Sequence, residues 1–318
     1  MRAVALDDLP DWVPSWCMDH LHDEPVSVLF RHRSMSRVYG LRMASGHEVV
    51  VKVRPDEDLR AAACVAAQAR LSERGFPCAH PLTPVSTVAG SVGEKALAVH
   101  AEEYRGGGDV LHGETPVIAR RYAEVFARMM ADLDGAPIAP PLPNPRWARW
   151  DHGDPGLWPA VPELDARVQH PVPEHVIRTA TRARARALEL AEDLPRVLGH
   201  ADFEAQNLRW RGDRVWAVHD WDSLAWQPEA ALAGAASGTF ASALPPTLAP
   251  VESSAAFLET YQEARGRRFG EAELQLAWAA SLWPAAHNAR WEALHGGAPL
   301  CCDAVREQGA ERLRRAGA

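Results

Sequence analysis

Apolar and polar positions fall in short runs through the first hundred residues, and the runs predict strands. Ser27–Phe30 is a brief apolar stretch. Arg37–Met43 and Glu48–Val53 are rich in β-branched residues, and Ala44-Ser45-Gly46-His47 between them reads as a hairpin turn. Asp56 and Asp58 then open an alanine-rich segment that runs to Arg74 and stops at Gly75-Phe76-Pro77, which is helix punctuation. Thr83–Val88 and Lys95–His100 predict a second hairpin around Gly90 and Gly93. The order is therefore three strands, one helix and two strands. Glu102-Glu103-Tyr104-Arg105-Gly106-Gly107-Gly108 breaks the pattern and reads as a linker.

Beyond the linker the period changes to that of helices. Ile118, Tyr122, Val125, Phe126, Met129, Met130 and Leu133 recur at gaps of three and four, an amphipathic helix with a core-facing stripe. Ala136–Pro145 is a proline-rich surface connection, and Pro173–Glu192 predicts another helix. Leu208–Trp210 and Val215–Val218 form a short hairpin around Arg211–Arg214. Two or three helices complete the chain, with Pro284 expected to kink the one that starts near Glu271. The fold class is α+β: a small antiparallel sheet with one helix, then a larger and mainly helical part. The boundary is placed at 103/104.

Composition narrows the function. Arg plus Lys is 34 and Asp plus Glu is 42 in 318 residues, a net charge of −8, so a whole-chain nucleic-acid footprint is not expected. Arg182, Arg184 and Arg186 alternate with alanine and are read as a solvated helix face. No run is long enough to span a membrane, and none at the start resembles a secretion signal. Five cysteines without CxxC spacing argue against a disulfide or zinc framework and for a reducing cytoplasm. Lysine is almost absent, with Lys52 and Lys95 alone, and asparagine occurs only at 144, 207 and 288. A rare residue type in a chemically useful place therefore carries extra information.

The chemistry concentrates in Val197-Leu198-Gly199-His200-Ala201-Asp202 and the hairpin after it. Asn207 comes five residues after Asp202, and Asp220 thirteen residues after Asn207, at the far end of that hairpin. Phosphoryl transfer needs a carboxylate to orient the proton of an attacking hydroxyl, and hard oxygen ligands to hold magnesium on the phosphates. A hairpin with Asn at its entrance and Asp at its exit brings two such ligands to one edge.

This segment resembles the catalytic loop of the aminoglycoside phosphotransferase family, a branch of the bilobal protein-kinase-like fold, whose loop reads His-Gly-Asp-x-x-x-x-Asn before a hairpin and Asp-Trp or Asp-Phe. The resemblance implies Asp202 as catalytic base and Asn207 and Asp220 as magnesium ligands. It implies His200 as a brace for the loop and Asp222 as a second carboxylate at the metal or substrate edge. Ala201 stands where the family has glycine, and Phe203-Glu204-Ala205-Gln206 departs from the usual loop interior, which bears on substrate more than on fold. The resemblance covers about Val26 to Glu229. It implies a nucleotide-binding lobe at 1–103 and a catalytic and acceptor-binding lobe at 104–318, with ATP or GTP and Mg2+ as cofactors.

In such a fold a strand lysine grips the nucleotide phosphates, and Lys52 in Val49-Val50-Val51-Lys52-Val53 occupies that strand. The turn before it, Arg31–Arg37, has no glycine. Ser34 and Ser36 are its candidate phosphate-binding residues, with charge from Arg33 and Arg37. Glu103 and Tyr104 are the hinge positions whose backbone would meet the base. The fold usually pairs its lysine with a helix glutamate, but Arg60–Ser72 has no internal acid. The partner is then a carboxylate at a helix end, or Gln68, or none.

The leading reading is a small-molecule kinase that phosphorylates a hydroxyl of an aminoglycoside, another antibiotic, a sugar or an amino alcohol. Asp151, Asp154, Asp222 and Glu229 are its candidate acceptor-pocket acids. The alternative is a kinase-like scaffold that holds nucleotide without turnover. A metallohydrolase built on His200, Asp202, His219 and Asp220 is a third reading, disfavoured because His219-Asp220 follows a strand-like run. The partner is a small molecule, with no nucleic acid and no membrane. Acceptor identity, oligomeric state and a role in resistance stay open.

Overall fold

The computed structural model describes residues 9–33, 36–56, 58–88, 97–136, 138, 142, 144–161, 165–166, 168–243 and 245–318. The chain is α+β and divides into two compact units, Met1–Gly107 and Gly108–Ala318. The division falls in the glycine run, where Gly107 and Gly108 both take left-handed backbone angles (φ 80° and 79°) that other residues adopt only with strain.

The first unit contains α1 (Trp12–Leu21), β1 (Pro25–Arg33), β2 (Arg37–Met43), β3 (Glu48–Pro55), α2 (Ala61–Glu73), β4 (Ser86–Val88) and β5 (Leu97–Glu103). The strands form an antiparallel sheet in the order β1-β2-β3-β5-β4. Helix α1 is absent from the sequence-based order, and its role is to cover one sheet face. Odd-numbered positions Val49, Val51 and Val53 of β3 pack with Tyr39, Leu41, Met43, Val99 and Ala101 against Val13, Trp16 and Cys17 of α1. Side chains alternate along a strand, so Val50, Lys52 and Arg54 face the other way. Lys95 lies outside the described residues, and β5 runs past His100 to Glu103, so the first residues assigned to the linker belong to the sheet.

The second unit opens with α3 (Pro116–Leu133), capped by Thr115, whose side chain accepts from the Ile118 N–H. Next come α4 (Glu174–Ala191), β6 (Arg196–His200), β7 (Leu208–Arg211), β8 (Arg214–Val218) and β9 (Leu224–Pro228). Helices α5 (Glu229–Thr239), α6 (Val251–Arg265), α7 (Glu271–Ala280), α8 (Trp283–His295) and α9 (Leu300–Arg315) complete it. β6 pairs with β9 and β7 with β8, both antiparallel. The predicted stripe on α3 is buried from Tyr122 onward, with Ile118 half-buried, and supplies Tyr122 and Phe126 to an aromatic cluster with Phe203, Phe240, Phe257 and Tyr261. No helix among the described residues is long and apolar enough to cross a membrane.

Several local expectations do not hold. Ile138, Leu142 and Asn144 are buried, so the described part of the proline-rich stretch is not a surface connection. Among the described residues five helices, not two or three, follow the hairpin. Pro284 does not kink a long helix. It sits in the first turn of α8, where its missing N–H is harmless, and a separate α7 ends at Ala280. The arginine run on α4 is not a uniformly solvated face. Arg182 is exposed, but Arg184 donates to the carbonyls of Trp150 (2.7 Å) and His152 (2.8 Å). Arg186 donates to the Ala316 carbonyl at 3.1 Å and to Gln275. Fixed donors in a planar fork let these two arginines tie distant segments together.

Helices α5 and α7 meet backbone to backbone. A Cβ placed on Gly234 would lie 2.6 Å from Ala277 Cα and 2.7 Å from Ala277 C, and neither atom can swing aside. Gly234→Ala is therefore expected to destabilise the second unit by about 1–3 kcal/mol, the usual cost of overpacking. A lowered midpoint in urea, at unchanged slope, is the measurement that checks it.

Candidate active site

In the second unit, β6 ends at His200 and the chain turns sharply. The His200 ring is buried edge-on to Phe203 (6.2 Å between centroids) and Trp221 (5.4 Å). Its two nitrogens face two backbone groups. Nδ1 accepts from the Asp202 N–H at 3.2 Å, and Nε2 lies 3.1 Å from the His219 carbonyl, to which it donates. An imidazole used in this way is the neutral Nε2–H tautomer, with no lone pair left for a metal. That removes the metallohydrolase reading. Among the described residues, no group of three or more His, Cys, Asp or Glu side chains is arranged to hold a metal ion.

The loop after His200 is locked by short-range bonds. Asn207 Nδ2 donates both to the Asp202 carbonyl and to Asp202 Oδ2, each at 2.9 Å. The Asn207 N–H reaches the Glu204 carbonyl at 2.9 Å, and the His219 N–H reaches the Asn207 carbonyl at 2.8 Å. Phe203 anchors the loop in the aromatic cluster, 4.9 Å from Phe126 between centroids. Burying one such ring is worth about 1.5–3 kcal/mol, enough to fix the position of the adjacent carboxylate.

The β7–β8 hairpin brings the chain back to Asp220. This residue has φ 63° and ψ 49°, a left-handed conformation unusual outside glycine, asparagine and aspartate. The Asp220 carbonyl accepts from the Ser223 N–H at 3.0 Å, and its Oδ2 accepts from Ser223 Oγ at 3.1 Å. Burial, and then the neighbouring Asp220 carboxylate, push the Asp202 carboxyl up to about 7, against the Asn207 hydrogen bond. His200, Asp202, Asn207 and Asp220 are thus brought together. Asp222 lies two residues on, half-buried in the turn Trp221–Ser223.

Sequence reasoning noted Glu204 as atypical but did not place it in the site. It is buried, with Gln206 Nε2 donating to its Oε2 at 2.7 Å. Burial, then Asp202, raise its carboxyl well above the ordinary value. Asp202 and Glu204 line a recess of about 60 Å³ together with Trp147, Trp150, Trp283, His287 and Asn288. No lysine or arginine is among the described residues that line it. Trp283 Nε1 and His287 Nε2 are buried there without a hydrogen-bond partner among the described residues. Burial, then Arg290, push the His287 imidazole down to about 4, so it is neutral.

Three of the candidate acceptor-pocket acids have partners outside the recess. Asp151 pairs with Arg196 at 2.8 Å, and Asp154 accepts from the Ala160 N–H at 2.9 Å. Glu229 binds Arg265 (3.0 Å), Arg267 (3.2 Å) and the Tyr261 hydroxyl (2.5 Å).

In the first unit, Lys52 Nζ lies 3.0 Å from Glu102 Oε1, with both side chains largely buried. This carboxylate comes from β5, while Glu57, before the start of α2, lies outside the described residues. Gln68 on α2 does reach the pair, as a donor to Glu102 Oε2 at 2.7 Å. Burial opposes the charge on Glu102, but Lys52, His100 and Gln68 overcome it and hold the carboxyl below the usual range. Ser34 lies outside the described residues. Ser36 directly precedes β2 and is half-buried. Glu103 ends β5 with an exposed side chain and donates its N–H to the His80 carbonyl at 2.9 Å. Tyr104 donates its N–H to the Glu48 carbonyl at 3.2 Å, and its ring lies 5.6 Å from Phe30.

Residues 30–277 match the model of the phosphotransferase enzyme family. No curated protein matches the sequence. Solved structures share the fold at low identity. An amicoumacin kinase in complex with AMP-PNP, Ca2+ and Ami is 12% identical, with a TM-score of 0.61 over 91% of this chain and 88% of that one. A microcompartment-associated aminopropanol kinase is 15% identical, with a TM-score of 0.59 over 92% and 89%. A spectinomycin phosphotransferase in complex with ADP and spectinomycin is 11% identical, with a TM-score of 0.55 over 100% and 94%.

Proposed function

The chain belongs to the phosphotransferase enzyme family, and from that premise we propose that it is a magnesium-dependent kinase that transfers the γ-phosphoryl group of ATP to a hydroxyl of a small molecule. The observation that carries this reading is the Asp202–Asn207–Asp220 constellation. Asp202 is the catalytic base: its carboxylate accepts the proton of the attacking hydroxyl and orients the oxygen toward phosphorus. Asn207 has spent its N–H2 group on Asp202, which leaves Oδ1 as its remaining polar atom. That oxygen and the Asp220 carboxylate are hard donors suited to magnesium. A magnesium ion held by these two residues would supply neutralisation of the phosphate charge. Lys52 holds the phosphates as a compact cation, and the backbone at Glu103 and Tyr104 meets the base. The AMP-PNP and ADP in the structural relatives support an adenine nucleotide as donor.

The recess beside Asp202 is the acceptor site in this reading. Its carboxyl groups and its indoles favour a compact head group that carries an amine near the reacting hydroxyl. Amicoumacin, spectinomycin and aminopropanol, acted on or bound by the relatives, are the first compounds to try. An ADP-release screen with Mg–ATP across these, aminoglycosides, sugars and amino alcohols tests the proposal. Release that depends on one class of acceptor supports it, and no release with any of them, in protein that binds Mg–ATP, overturns it in favour of a scaffold without turnover. With the acceptor so identified, Glu204→Gln is expected to raise the acceptor KM about tenfold while leaving the KM for ATP unchanged, the loss of one carboxyl contact to a cationic head group.

A further inference from the structure

We propose that Glu102 of β5 is a positioning residue for Lys52, and that Gln68 of α2 locks that carboxylate in place. This rests on the reading of Lys52 as the nucleotide-binding lysine.

The register of the sheet makes the pair. Lys52 lies opposite His100 in the antiparallel β3–β5 ladder, and Glu102 is two residues along β5 on the same face. A long side chain reaches such a diagonal neighbour across adjacent strands. The Lys52 Nζ–Glu102 Oε1 distance is 3.0 Å. Two covalently continuous, hydrogen-bonded strands thus hold both members. In a protein kinase the equivalent pair joins a strand to a helix, and the placement of that helix controls it.

The helix residue is complementary to this arrangement. Gln68 Nε2 donates to the Ala79 carbonyl at 2.9 Å and to Glu102 Oε2 at 2.7 Å, so both amide hydrogens are used. The partners fix which way the amide points. A glutamate at 68 would set an acid against two acceptors, which explains why α2 carries no acid on this face. His100 completes the surround. Arg54 Nη1 lies 3.0 Å from His100 Nδ1 and donates to it, which puts the imidazole proton on Nε2, 3.7 Å from Glu102 Oε2. Glu102 is left with one oxygen directed at Lys52 and the other held by Gln68.

A double-mutant cycle on the binding of Mg–AMP-PNP, read by calorimetry, tests this without knowledge of the acceptor. Lys52→Met is expected to weaken binding about 10- to 100-fold, the worth of a hydrogen-bonded charge. Glu102→Gln is expected to weaken it about tenfold in the parent and not at all in the Lys52→Met background, because it acts only through the lysine. Losses that multiply in the double variant, or a Glu102→Gln protein that binds like the parent while Lys52→Met does not, overturn the proposal. Parent-like binding by Lys52→Met overturns the reading of the lysine itself and the proposal with it. If Glu102→Gln does not fold, Gln68→Met carries the test. Its expected loss of about threefold disappears in the Lys52→Met background if Gln68 works through the pair, and persists there if its role is only structural.

Discussion

Asp202→Asn is expected to lower turnover about 10²- to 10⁴-fold, the range for loss of a positioned general base, and to leave nucleotide affinity nearly unchanged. The substitution is chosen to isolate charge from shape. Asn207 Nδ2 bonds both the backbone carbonyl and a side-chain oxygen of Asp202, and both acceptors survive in asparagine. The Nδ1 of His200 still receives the N–H at position 202. The loop should therefore keep its form, so a lost rate reports the missing proton acceptor. Stability should move the other way. The carboxyl of Asp202 titrates higher in the folded chain than in the unfolded one, through burial first and Asp220 second. The folded chain then binds that proton more tightly, so stability falls as pH rises from about 4 toward about 7. A neutral asparagine escapes this penalty. In metal-free buffer near pH 7 the variant should melt at a higher temperature than the parent. Near-normal turnover in a well-folded variant would remove Asp202 from the role of base.

The second large effect concerns magnesium. Asp220→Asn is expected to weaken Mg-dependent nucleotide binding about 100-fold, while binding measured in chelator changes little, because loss of an anionic ligand removes several kcal/mol of metal attraction. Asparagine is preferable to alanine here because position 220 is left-handed, a conformation that asparagine tolerates and alanine resists. The Ser223 hydrogen bond to the side chain can also persist with asparagine. A magnesium titration checks the effect. An unaltered midpoint would mean that the carboxylate holds the turn and not the ion.

The α+β class was readable because it rests on local signals. The period-two runs of β2 and β3, the stripe on α3 and the hairpin between Leu208 and Val218 each declare themselves within a dozen residues. The loop from His200 to Asn207 was readable for a similar reason, since five residues of spacing dictate the bond from Asn207 to Asp202. What escaped depends on non-local register. Nothing near Lys52 announces Glu102, fifty positions away, until β3 and β5 pair. The same holds for Arg184 and Arg186, whose alternation with alanine looks like a solvated face until the carbonyls they reach are folded beside them. Glu204 was visible as an oddity in the loop, but its place in the recess depends on α8, which brings in Trp283 and His287. Helix α1 escaped through its composition. Its ten residues include Pro14, and only Val13, Trp16 and Cys17 are buried, too few for a clear stripe.

Helix α1 also bears on how the chain survives its own synthesis. It takes no part in the proposed chemistry, yet it covers the apolar side of the sheet, where Tyr39, Leu41, Val51 and Val99 lie. A polypeptide begun at Pro25 would retain every residue assigned to nucleotide, metal and acceptor. It would also carry a bare, β-rich hydrophobic surface, the kind that recruits other copies into aggregates. The shortest catalytically complete chain is therefore not the shortest soluble one, and the difference between them is a helix that shields the sheet from its neighbours.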